Sequence, residues 1–126
     1  MAVCIVAGGV VTTLAIQAFT VAWMHSIEHI RWEEDYRVEG PMLHLVEARV
    51  QGSGAGMDPQ PGSRFENGVW HYVPPLPLLP EIRLSRSNYT AGYEFCHDGK
   101  CQPLKQLAPA AKLGGVIEVK SCEGPP

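Results

Sequence analysis

The chain has no basic excess. Ten Lys and Arg stand against 13 Asp and Glu, for a formal net charge of -3, so the positive surplus that neutralises phosphates is missing and nucleic acid is not an expected partner. It also has no Cys-x-x-Cys knuckle. Its cysteines fall at Cys4, Cys96, Cys101 and Cys122, a spacing unlike that of a zinc ribbon, and no metal or other cofactor is expected. A nucleotide-binding glycine loop is incomplete. In Gly52-Ser53-Gly54-Ala55-Gly56-Met57 a methionine stands where the last glycine of G-x-G-x-x-G belongs, and no helical pattern follows. Internal repeats are absent, and so is any long stretch of helical period.

Charge is missing from the first 24 residues, which raises the question of a membrane span or a secretory signal. Ala7-Gly8-Gly9 interrupts the apolar run, and Val10, Val11, Thr12, Thr13, Ile16, Thr20 and Val21 make it rich in β-branched residues. No basic residues precede it, so no signal peptide is legible there. The pattern predicts two strands, near 3–6 and 10–25, with membrane association through the N-terminus as the alternative.

What is present points to one small β domain. The chain of 126 residues and 13.8 kDa is long enough for one core and too short for two. Thirteen Gly and 11 Pro exceed average usage and favour turns and extended segments. Alternation is clearest where Trp32, Glu34, Tyr36 and Val38 share one face and Glu33, Asp35 and Arg37 the other. Gly40-Pro41 then marks a turn into a strand over 42–51, in which Val46, Ala48 and Val50 are expected to share a face. Further strands are expected over 69–73, 81–85 and 116–120. Pro74, Pro75, Pro77 and Pro80 predict an extended segment with Leu76, Leu78 and Leu79 packed down. A short helix is expected over 104–113, broken by Pro109. The fold class that follows is an all-β, antiparallel sandwich or barrel-like single domain over 1–126, its core within about 3–104.

The cysteines reinforce this reading. Asp98-Gly99 is a preferred dipeptide for a type I′ hairpin turn, because both central positions need positive φ. Such a turn makes Cys96 and Cys101 a non-hydrogen-bonded cross-strand pair, about 4.5 Å apart at Cα and within disulfide range. Cys4 and Cys122 lie near opposite ends of the chain. They pair if the terminal strands are neighbours, closing a loop worth about 5 kcal/mol on the chain-entropy model; otherwise they remain small buried hydrophobes. Two disulfides imply an oxidising compartment such as the periplasm.

His25-Ser26-Ile27-Glu28-His29 matches H-x-x-E-H, the pattern of inverted zinc peptidases, in which two histidines one helical turn apart hold zinc and the glutamate acts as base. The strand-like flanks argue against it, since on a strand the histidines would stand about 13 Å apart. A metal-dependent hydrolase using His25, Glu28 and His29 is therefore the minor alternative. The run Glu33-Glu34-Asp35 followed by Arg37 reads first as a solvated face with local ion pairs. With His25 and Glu28 it is also a candidate ligand site.

Taken together, His25-Ser26-Ile27-Glu28, Trp32-Glu33-Glu34-Asp35, the segment from Glu47 to Met57 and the Cys96/Cys101 hairpin resemble an uncharacterised family of small bacterial domains of unknown function. Members are often encoded beside tripartite TRAP transporters of the TAXI type. The resemblance runs from about Cys4 to Leu104 and leaves 105–126 unmatched. It implies a non-enzymatic, extracytoplasmic accessory or binding domain, with a TRAP transporter subunit as the candidate partner. The distinctive positions mark His25, Ser26, Glu28, Trp32, Glu33, Glu34, Gly54 and Gly56 as candidate binding residues.

Overall fold

A computed structural model describes residues 1–24, 30–51, 62–85, 92–112 and 115–123. The strands are β1 (Ala2–Ala7), β2 (Val10–Leu14), β3 (Ala18–Met24), β4 (Arg31–Glu39), β5 (Met42–Gln51), β6 (Arg64–Glu66), β7 (Val69–Tyr72), β8 (Ile82–Ser85), β9 (Glu94–His97), β10 (Lys100–Pro103) and β11 (Val116–Cys122). One short helix, α1 (Leu104–Leu107), follows β10. The strands form two antiparallel sheets, a four-stranded one in the order β2-β1-β11-β8 and a seven-stranded one in the order β10-β9-β3-β4-β5-β7-β6. This is the all-β sandwich anticipated from the sequence, and it does not close into a barrel.

The two sheets meet through alternating apolar residues. Val3, Ile5, Ile117 and Val119 from the small sheet cluster with Phe19, Val21, Tyr36, Leu43, Leu45 and Phe95 from the large one. Phe19 stacks between Tyr36 and Phe95, with ring centroids 5.3 and 5.0 Å away. Burial of this cluster is the main force holding the sheets together.

The apolar N-terminus is strand, and no helix among the described residues is long and apolar enough to cross a membrane. The single strand expected over 10–25 is instead two strands in different sheets. The Ile16 N–H donates to the Leu14 carbonyl, and Gln17 O accepts from the Val38 N–H. The chain thus leaves the small sheet at Leu14 and enters the large one at Ala18. The β1–β2 turn depends on Gly8, at φ 57°, where an added Cβ would stand 2.5 Å from the Ala110 carbonyl oxygen. That contact, with the Thr12 hydroxyl donating to Leu107 O at 2.9 Å, seats the segment after α1 on the hairpin.

Other expectations are corrected in detail. The β4–β5 register shifts between Asp35 and Tyr36, which pair with Glu47 and Leu45 and leave Val46 as the extra residue of a bulge. Leu43 and Leu45 are buried before it and Ala48 and Val50 after it, so Val46 does not join their buried face. The helix stops at Leu107, well short of 113. Ala108, at φ -136°, precedes Pro109 and is driven out of helical conformation. In the proline segment only Leu79 packs against the core, bridged to Leu43, while Leu76 and Leu78 are exposed. Strand β7 falls within the strand expected over 69–73, but its hairpin partner β6 is absent from the expected elements although Asn67-Gly68 spells the turn, with φ of 51° and 79°.

Both disulfides are present and no cysteine is free. Asp98 and Gly99 have φ of 53° and 78°, and Cys96 pairs with Cys101 at a Cα separation of 4.0 Å. Cys4 joins Cys122 diagonally across β1 and β11, where the register pairs Cys4 with Lys120 and Ala2 with Cys122.

Candidate functional site

Strand β4 carries the acidic run Glu33-Glu34-Asp35 through the interior of the seven-stranded sheet, between β3 and β5. Because side chains alternate along a strand, Glu33 and Asp35 go to one face and Glu34 to the other. The run is therefore divided between two sites.

On the outer face Arg49 of β5 is the hub. Its Nη1 and Nη2 donate to the two carboxylate oxygens of Asp35, each at 2.6 Å, a bidentate pair. Its Nε donates to Glu33 at 2.9 Å and its Nη1 to Glu47 at 3.1 Å. The Thr20 hydroxyl adds a bond to Asp35 at 2.7 Å, and His71 Nδ1 lies 3.0 Å from Glu47. Arg31 connects Glu33, at 2.9 Å, with Glu94, at 3.3 Å. Both of these glutamates pair in register with Ala22, so Arg31 straps across an alanine that is fully buried.

These contacts set the electrostatics. Burial pushes the Glu33 and Asp35 carboxyls up, but the hydrogen bonds from Arg49, aided by Arg31 and Thr20, outweigh it and hold both below the usual range. Glu47 is held low chiefly by the His71 hydrogen bond and also by Arg49. Arg49 in turn is raised, first by its bonds to Asp35. The arrangement is a saturated ion-pair network that leaves little spare hydrogen-bonding capacity on Arg49.

The inner face differs. Register places Phe95, Val21, Glu34, Ala48 and Tyr72 in one row across the sheet, and Trp23, Trp32, Val50, Trp70 and Phe65 in the next. Trp23 stacks with Trp32 at 6.1 Å between ring centroids and meets Tyr93 edge-on at 5.7 Å. Ala48 and Val50 are buried but lie outside the cluster that faces the small sheet. Glu34 accepts a 3.0 Å hydrogen bond from the Tyr36 hydroxyl, and among the described residues no cation partners it. Burial raises its carboxyl above the usual range, with the Tyr36 bond opposing only in part. The phenols of Tyr72 and Tyr93 are raised by burial and then by the Glu34 charge, so hydroxyls from separate segments sense the same carboxylate. The Trp32 Nε1–H is buried, with no acceptor among the described residues.

Of the candidate binding residues, Trp32 and Glu34 are thus neighbours on one face and Glu33 is on the other. His25, Ser26, Glu28 and His29 lie outside the described residues, as do Gly54 and Gly56. The residues that complete both sites, Arg49 and Thr20 outside, Tyr72 and Tyr93 inside, were not singled out from sequence. Their strand periodicity was legible, but their partners depend on register. Among the described residues one group of possible metal ligands occurs, Glu94 with Cys96 and Cys101, and its two sulfurs are joined in a disulfide.

Comparison with curated proteins and with solved structures gave no match. A family model does match residues 19–104, a span that holds the seven-stranded sheet but for Ala18 at the start of β3, together with β8, and ends at the first residue of α1. Both faces of β4 lie within it, whereas β1, β2, β11 and the terminal disulfide lie outside. With most of its length so matched, the chain belongs to the family described as Domain of unknown function (DUF1850).

Proposed function

We propose that this protein is a non-enzymatic binding domain of an oxidising, extracytoplasmic compartment of a bacterial cell, accessory to a TRAP-type solute transporter. The observation that carries the compartment is the use of all four cysteines in two disulfides, a pattern rare where thiols are kept reduced. The transporter association rests on the sequence resemblance described at the outset. Binding rather than catalysis is favoured by the sheet itself: its outer polar groups are committed to one another, and among the described residues its inner face offers a single carboxylate among aromatic rings.

Thiol titration of the denatured, unreduced protein tests the compartment, with no reactive thiol expected; four would remove its support. Co-purification from native membranes tests the partner. A transporter subunit retained with the domain through washing is the expected result, and its consistent absence refutes the accessory role.

A further inference from the structure

We propose that the free edge of β2 joins two copies of this chain, β2 against β2 and antiparallel, so that the four-stranded sheets of the two protomers run on as one. This goes beyond the binding-domain reading and is independent of it.

Each sheet ends in two edge strands, β2 and β8 in the small sheet and β10 and β6 in the large one. The unpaired N–H and C=O groups of an edge recruit further strands, and charged residues or prolines along the edge discourage this. Strand β10 carries Lys100 and Pro103, β6 carries Arg64 and Glu66, and β8 carries Arg83. Strand β2, Val10-Val11-Thr12-Thr13-Leu14, carries neither charge nor proline. It is rich in β-branched residues, which pack well against a neighbouring strand. Val10 and Val11 are 50% and 56% exposed, and Thr13 is exposed beside them.

The turn fixes which backbone groups are free. Gly8-Gly9 is a two-residue turn, so its flanking pair, Ala7 and Val10, exchanges both hydrogen bonds, and bonded pairs then alternate along the register. Val10, Thr12 and Leu14 therefore direct their N–H and C=O groups to β1. Val11 and Thr13 direct theirs outward, where among the described residues no strand or loop backbone pairs with them.

A second copy satisfies these groups in register. With Thr12 on a two-fold axis, Val11 lies opposite the partner's Thr13 and Thr13 opposite the partner's Val11, and each pair can exchange both of its hydrogen bonds. Val10 then stands opposite the partner's Leu14. Every residue in the contact is uncharged, so the symmetry sets no like charges against each other. The edge is also held ready. The Cys4–Cys122 disulfide ties β1 to β11 behind it, Thr13 Oγ1 lies 3.4 Å from Cys4 Sγ, and the Thr12 hydroxyl is bonded to Leu107 O. An edge fixed in this way loses little freedom when a strand is added. A contact of five residues a side is small beside that of an obligate dimer, so the expected dissociation constant is on the order of 10–100 µM.

The test sediments the full, disulfide-bonded chain at concentrations from about 1 µM to about 1 mM. A monomer–dimer equilibrium is expected. Amide hydrogen exchange should slow with rising concentration at Val11 and Thr13 and stay constant at Val10 and Thr12, whose N–H groups already bond to β1. Val11→Lys puts two like charges on one face of the joined strands and should weaken the dimer by about 10-fold or more. Val11→Glu should do the same, and the two variants mixed should associate more tightly than either alone. Val116→Lys, at a position 47% exposed on β11, should leave the dimer unchanged. A chain that is monomeric at about 1 mM overturns the proposal and leaves the edge to a strand of another protein. A dimer indifferent to Val11→Lys, or one whose protection appears away from β2, overturns it too.

Discussion

Glu33 and Asp35 face outward from β4 and Glu34 faces inward, and these neighbours in sequence meet opposite electrostatics. Outside, Arg49 and Arg31 compensate burial with short, charge-assisted bonds, and the carboxyls are held low. Inside, burial meets a single phenol donor, and the Glu34 carboxyl is raised. The outer face is built to satisfy its charges internally. On the inner one, among the described residues, Glu34 has a phenol donor and no cation beside it. What separates them is which residue of β5 stands across the strand: Arg49 beside Glu33, Ala48 beside Glu34.

The largest expected effect comes from breaking the outer side of this comparison. Arg49→Met removes the shared cation and leaves Glu33, Asp35 and Glu47 facing one another. Urea unfolding at neutral pH should show a loss of about 2–3 kcal/mol, less than for a fully buried pair because the network keeps some water. The pH dependence follows from the directions of the shifts. Groups whose folded pKa is lowered contribute stability that is present above their unfolded values and lost as pH falls through the folded ones. The wild-type urea midpoint should therefore decline as pH drops below about 4, and Arg49→Met should flatten that decline. An equal decline in both proteins would place the acid sensitivity elsewhere.

A smaller effect is expected from Thr20→Val, which deletes the hydroxyl donor on Asp35 at nearly constant volume. It should cost about 1 kcal/mol and make the carboxyl resonance of Asp35 titrate at higher pH. The smallest effect has the opposite sign. Glu34→Gln removes a poorly solvated charge, and because the group is only partly buried the gain at neutral pH should be about 1 kcal/mol or less. For a raised carboxyl, stability is fully present below the unfolded pKa and is lost as pH rises through the folded one. The advantage of the variant should thus vanish in acid. If Glu34→Gln destabilises the protein at pH 7, the contrast between the two faces fails.

How far each site was legible can be traced residue by residue. The alternation of Trp32, Glu34 and Tyr36 against Glu33 and Asp35 was readable from spacing, because a strand has a period of two wherever it is regular. The Cys96–Cys101 bridge was also readable, since Asp98-Gly99 fixes the turn and the turn fixes the pair. Val46 was misplaced because a bulge inserts one residue and inverts the alternation, and nothing local marks where it falls. The break between β2 and β3 was missed for a related reason. Residues 10–24 carry no charge, glycine or proline, so their pattern does not show where the chain changes sheets.

By itself, then, the sequence determined an all-β chain, the short disulfide hairpin and the two-sided character of β4, because turn chemistry and strand period act over a few residues. Tertiary structure alone decided that Cys4 meets Cys122, that Arg49 rather than Arg37 gathers the outer carboxylates, and that Glu34 shares an inner-face row with Tyr72. Each depends on strand order and register between segments distant in sequence. Those are set by how the whole set of apolar faces packs, which no local pattern encodes.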